Sequence, residues 1–267
     1  MSNFFNTTRR AFLVAGLALG AVASAMAGEI RVVSSGGFTA AYKELVPLFE
    51  AATGHKVVTS YGASMGTAND SIPSRLARGE QFDIVILADS ALESLVKQGK
   101  VVPNTRVDLG RSLIGVSVRK GLPKPDISTA EGVKKAVLDA KSIAYSASAS
   151  GTYLSNELFP KLGVWEQIKD KSRKIMSERV GAVLTRGDAD LGFQQISELL
   201  PFKDIEFVGP LPEELQQKVF FSAGLAVGSK EPELAARLVK FLASPAAAPI
   251  VRTSGLEPVA KAEAEAK

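Results

Sequence analysis

Three short segments rich in Gly, Ser, Thr and Ala have the composition of a cradle for an anion. They are Ser34 to Thr39, Gly62 to Thr67 and Ser146 to Thr152. Each follows a stretch patterned as a strand and precedes one patterned as a helix. At such a junction the first backbone N–H groups of the helix lack partners, and the positive end of the helix dipole faces outward. Gly36, Gly37 and Gly151 let the main chain approach a ligand closely, while the hydroxyls of Ser35, Ser64, Ser150 and Thr152 add donors, with Met65 beside Ser64. One such junction is an ordinary capped connection. Three in one chain favour an anion held largely by neutral donors. Arg179, just before a helical pattern that opens at Val180, and Arg75, after the second segment, could each pair bidentately with a carboxylate or oxyanion.

Other chemistries fit poorly. A nucleophilic Ser35, Ser64 or Ser150 needs a general base, and the single histidine, His55, sits in Thr53-Gly54-His55-Lys56, a solvated turn between helix and strand. There is no Gly-x-Ser-x-Gly elbow, and Gly36-Gly37 lacks the rest of a phosphate-loop or dinucleotide fingerprint. Asp188 and Asp190 offer two carboxylates without the glutamate that closes a calcium loop, so a solvated turn is the better reading. With no cysteine, neither disulfides nor thiolate metal sites can form. The expectation is a chain without catalytic residues, metal or cofactor.

The elements that would position these loops begin after a leader. Residues 1–27 carry Arg9 and Arg10, an uncharged apolar run from Ala11 to Ala23, and the ending Ala25-Met26-Ala27. The run is shorter than the roughly 18–20 residues that span a bilayer, so it reads as a signal peptide cleaved after Ala27, and Thr8 to Leu13 also has the look of a twin-arginine signal. The mature chain would then work in the periplasm. Losing Arg9 and Arg10 lowers the formal charge of +4 by two, which leaves too small a surplus to suggest nucleic acid or a membrane surface as partner.

From Glu29 onward the pattern alternates strand and helix. Strands are predicted at Glu29–Val33, Val57–Tyr61, Phe82–Leu87, Leu113–Val118, Ser142–Tyr145, Leu191–Phe193, Ile205–Val208 and Val219–Val227. Helices are predicted at Thr39–Ala52, where Pro47 could introduce a kink, Asn69–Arg78, Ser90–Gln98, Ala130–Ala140, Tyr153–Leu162, Val180–Arg186 and Pro232–Leu242. Asp108 to Ser112 reads as a polar connection. The near-unbroken apolar run Phe82 to Leu87 implies a parallel strand covered on both faces. The predicted class is α/β in two lobes, each a sheet flanked by helices, joined by a two-strand hinge. Residues 28–111 and 221–258 would form one lobe, 112–220 the other, and 259–267 a flexible tail. Ligands of open α/β sheets bind beyond the carboxyl ends of strands, so both lobes would face one cleft.

The run Ile30 to Phe38, the Tyr61 to Thr67 loop, Phe82 to Asp89, Ala149 to Tyr153 and Leu191-Gly192-Phe193 together resemble the periplasmic molybdate-binding family of solute-binding proteins. The resemblance spans nearly the whole mature chain. It implies a monomeric two-lobe receptor that closes on a small anion such as molybdate or tungstate and delivers it to the membrane permease of an ABC transporter. It places ligand contacts at Ser64, at Ser150 near Gly151, and at the backbone of Val180. Two positions depart from the family: its first-loop serine falls at Gly37, with Ser35 and Gly36 beside it, and a tyrosine hydroxyl is replaced around Gln194-Gln195. A vacant Gly37 would leave space, and Gln195 offers a donor and an acceptor, which would suit a small organic acid as the alternative ligand. A ligand-sensing receptor and a periplasmic serine hydrolase are the remaining alternatives.

Overall fold

The computed structural model describes residues 28–259. The expected leader and the residues beyond 259 lie outside that span.

Six strands form one sheet in the order β11-β4-β10-β3-β1-β2. β1 (Glu29–Ser34) runs parallel to both β2 (Lys56–Tyr61) and β3 (Ile84–Ala88). β3 is buried along its whole length, as its apolar run required. β4 (Val107–Ser112) and β10 (Val219–Leu225) join antiparallel, with β11 (Glu257–Pro258) at the edge. Asp83 sets the start of β3. Its carboxylate accepts from Arg31 N at 2.7 Å, Ser229 Oγ at 2.7 Å and Lys230 N at 2.8 Å, tying β1 to the late return of the chain.

The second sheet has the order β7-β6-β8-β5-β9. Here β6 (Ile143–Ser146) lies parallel to β7 (Ser172–Ile175) and β8 (Leu191–Gln195), while β5 (Ile114–Arg119) is antiparallel to β8 and to β9 (Ile205–Pro210). Both sheets are therefore mixed rather than purely parallel.

Helices cover each sheet. The first carries α1 (Gly36–Thr53), α2 (Ile72–Ala77) and α3 (Asp89–Lys97), and the second α4 (Ala130–Asp139), α5 (Ala149–Tyr153), α6 (Val180–Arg186) and α7 (Ile196–Leu199). The late α8 (Pro232–Leu242) and α9 (Ala248–Thr253) return to the first sheet. Phe38, Tyr42, Leu45 and Phe49 of α1 are buried against Ile30, Ile84 and Phe221. Burying an aliphatic or aromatic side chain of this size stabilises by about 1.5–3 kcal/mol, and each sheet carries an apolar cluster of such side chains.

Several bounds differ from the sequence reading. α1 opens at Gly36, so the first loop shrinks to Ser35, and it runs through Pro47 as one helix to Gly54 in the left-handed conformation at φ 72°. α5 opens at Ala149 inside the third predicted loop, and a π-helical turn over Leu154–Leu158 continues it. Asp108 to Ser112 belongs to a strand, because its backbone pairs with β10, while Asp108 accepts from Ser222 Oγ at 2.6 Å and Ser112 donates to Gln195 Oε1 at 2.6 Å. His55 is more than a solvated turn: its Nδ1 accepts from Gly28 N at 3.0 Å.

The chain crosses between sheets twice, from β4 to β5 and from β9 to β10. Gln216 clamps the crossings. Its Oε1 accepts from Ile114 N at 2.9 Å, and its Nε2 donates to Ile114 O at 2.9 Å and Leu211 O at 3.0 Å.

Candidate functional site

A cavity of about 180 Å³ lies between the sheets. It is smaller than the roughly 300–1,000 Å³ of sites for drug-sized ligands, and so suits a small solute. Ser35, Gly36, Gly37, Ser64, Ser150, Arg179 and Gln195 all line it. Met65, Gly151, Thr152 and Val180 do not.

Each exception has a physical reason. Met65 packs against the two apolar clusters of the first lobe. At Gly151 an added Cβ would lie 1.6 Å from Ser146 O, so glycine there serves close packing of α5 on β6. Thr152 N already donates to Ser148 O at 2.9 Å. The Val180 N–H, expected to face the ligand, donates instead to Gln194 Oε1 at 2.9 Å. Arg75 is also elsewhere: it pairs with Glu80 at 2.7 Å and lies over the Phe82 ring at 5.3 Å. Asp188 and Asp190 pair with Arg186 at 3.1 Å and Arg119 at 3.2 Å.

The donors that remain come from both lobes. α1 begins without a side-chain cap and without an acidic residue in its first turn, so its free N–H groups and positive dipole end meet the cavity at Gly36 and Gly37. Ser35 Oγ is buried and has no partner among the described residues, and the same holds for Gln195 Nε2. A buried polar atom left unpaired costs about 1–3 kcal/mol, and a bound ligand would remove that cost. Ser64 Oγ accepts from Ala88 N at 2.9 Å, which leaves its hydroxyl proton free to donate. Ser150 and Ser146 share a hydrogen bond of 3.1 Å. Arg179, half-buried, forms none of the ion pairs found among the described residues.

Gly37 leaves no vacancy. A Cβ there would lie 1.9 Å from Phe221 Cζ, so the ring fills the space that the sequence reading left open. Gly36 faces another neighbour, Glu198, whose Oε1 would lie 1.9 Å from an added Cβ.

Glu198 is the residue that sequence reasoning passed over. It stands on the four-residue α7, is 9% exposed, and lines the cavity. Its Oε1 accepts from Gln194 Nε2 at 3.0 Å. Burial pushes its pKa up to about 7, against the opposing pull of the Arg179 charge and the Gln194 hydrogen bond. The spacing of Gln194 and Glu198 is the one local hint, since it brings a residue on the strand end and one on the next helix together.

Residues 30–257 match the family described as bacterial extracellular solute-binding protein. The chain belongs to that family. This solute-binding protein is 45% identical over 230 residues to an aconitate isomerase of a Pseudomonas species, covering 86% of the chain and 88% of that protein. It is 28% identical over 254 residues to the molybdate-binding protein of Azotobacter vinelandii, covering 91% and 96%. Among solved structures it superposes on the sulfate-binding protein of Mycobacterium tuberculosis with a TM-score of 0.69 at 21% identity, covering 88% of each chain. The resemblance to molybdate-binding proteins and the two-lobe α/β fold of this solute-binding protein are thus both found.

Proposed function

We propose that this protein binds aconitate in the cleft between its lobes and interconverts the cis and trans isomers. One observation carries the reading: a buried acid, Glu198, lies among donors suited to carboxylates. A site that only captured an oxyanion has no use for an acidic side chain in the same cavity. Interconversion across a carbon–carbon double bond, by contrast, needs a group that can take up and return a proton. The 45% identity to an aconitate isomerase supports this choice over molybdate, as does Phe221, which occupies the place of the serine expected at residue 37.

Arg179, Ser35, Gln195 and the start of α1 would each engage a carboxylate, three of which aconitate carries. The family and the leader support work in the periplasm. A receptor that hands a small carboxylate to an ABC permease is the second reading, favoured by family membership and by the double crossing clamped at Gln216. Calorimetric titration with cis-aconitate, trans-aconitate, molybdate and sulfate, paired with proton NMR of each aconitate isomer, separates the readings. Binding with conversion supports the isomerase, binding without conversion the receptor, and heat from molybdate alone would remove both.

A further inference from the structure

Interconverting the isomers of aconitate requires that its double bond become single for part of the reaction. A proton leaves the methylene carbon, which is adjacent to one carboxylate and conjugated to the others through the double bond. The electron pair of that C–H bond becomes the new double bond to the central carbon, and the former π pair takes up a proton at the far carbon. One proton is removed and one added, and nothing is oxidised or reduced. A single proton carrier held against both carbons is enough for this shift.

The side chains lining the cavity include few carriers. Tyr61 is 41% exposed, and burial of its ring raises its pKa. Glu178 is gripped by Arg186 at 2.8 and 2.9 Å, and those hydrogen bonds hold its carboxyl below the usual range, which makes it a weak base. Asp70 accepts from Ser177 Oγ at 3.4 Å across the cleft opening. Arg179 offers only N–H donors and no acceptor atom. Neither α1 nor β10, which pack against Glu198 and Gly37, places a charged group in the cavity.

Glu198 is the one buried acid among the described residues of the lining, and its orientation is fixed. Gln194 cannot rotate its amide freely, because its Oε1 must accept the buried Val180 N–H at 2.9 Å. Its Nε2 therefore faces Glu198 and donates to Oε1 at 3.0 Å. This bond takes one lone pair of Oε1 and holds the carboxyl in its orientation. Glycine at residue 36 keeps the carboxyl where it is, since any side chain there would collide with Oε1.

We infer that Glu198 is the catalytic residue that takes the proton from one carbon of bound aconitate and returns it to another, with Gln194 as the positioning residue that holds its carboxyl in place. This rests on the reading of the cleft as an aconitate isomerase site. A pKa of about 7 suits the role, because the base form is available near neutral pH and the acid form can give the proton back.

The experiment uses Glu198→Gln and Gln194→Met in the mature protein. Glu198→Gln keeps the shape and the Gln194 hydrogen bond. It should bind cis-aconitate with an affinity within a few-fold of wild type and lose turnover by about 10²–10⁴-fold. Gln194→Met removes the donor that lowers the Glu198 pKa, so the acid limb of its kcat/KM profile should move to higher pH while KM changes little. A structural role alone would leave that limb in place. In D2O, some product formed by the wild type should retain protium at the new position, as expected for one carrier. Turnover by Glu198→Gln within a few-fold of wild type, loss of aconitate binding in that variant, or an unmoved limb in Gln194→Met would overturn the assignment. If Glu198→Gln does not fold, the Gln194→Met profile decides. Absence of aconitate binding by the wild type would instead strike the proposed function.

Discussion

Replacing Glu198 by glutamine should change how stability depends on pH, without any ligand present. Burial holds this carboxyl to a pKa of about 7 in the fold, against 4.5 for an ordinary glutamate. A folded-state pKa above the unfolded one means that the native state keeps a proton which the unfolded chain has already lost. Stability from this group is full below pH 4.5, declines between 4.5 and about 7, and is flat above. At about 1.36 kcal/mol per pH unit, the decline amounts to roughly 3 kcal/mol. The substituted amide carries no charge to desolvate and can still accept from Gln194, so the variant escapes the decline. Urea denaturation of both proteins at intervals from about pH 4 to 8.5 measures the difference directly, because all other titrating groups cancel. The variant should gain on the wild type through that window, by roughly 3 kcal/mol at about pH 8. Parallel stability curves would refute the claim that burial dominates the environment of Glu198.

Gly37→Ser, which restores the family's residue, should drive its Cβ into the Phe221 ring and cost about 1–3 kcal/mol of stability by thermal or urea melts, with no gain in molybdate affinity by calorimetry. Ser64→Ala strands the Ala88 N–H, so it should lower stability by about 1–3 kcal/mol and weaken aconitate binding by calorimetry. Asp83→Asn should cost about 2–4 kcal/mol, because the amide group faces the donors of Arg31, Ser229 and Lys230. Burial acts to raise the Asp83 pKa, but those hydrogen bonds outweigh it and leave the pKa lowered, so its contribution is present above the unfolded value and lost as pH falls through the folded one. Acid titration of the two proteins should show the wild type alone losing this increment.

Much of the fold is legible in the sequence because local pattern and tertiary demand agree. The apolar run before Asp89 can only be a strand covered on both faces, and Pro232 and Gly187 punctuate helices whose ends the sequence reading places at the observed residues. β4 escapes notice because its polar side chains look solvated in sequence, whereas Asp108 and Ser112 find buried partners on β10 and at the hinge. Ser35, Ser64 and Ser150, which line the cavity, are visible from composition at strand ends. Val180 misleads because Gln194, on the strand that follows α6, folds back to take its N–H, a contact only the packed lobe creates. Glu198 is nearly hidden for the same reason: its spacing from Gln194 is the one local hint, and its burial against Gly36 is decided by how the lobes meet.

The most direct test of an aconitate-converting cleft is proton NMR of the purified mature protein incubated separately with cis- and trans-aconitate. Both samples should reach the same mixture of isomers, at rates proportional to protein concentration and abolished by Glu198→Gln. Unchanged spectra from both isomers, together with calorimetric binding of molybdate, would contradict the account.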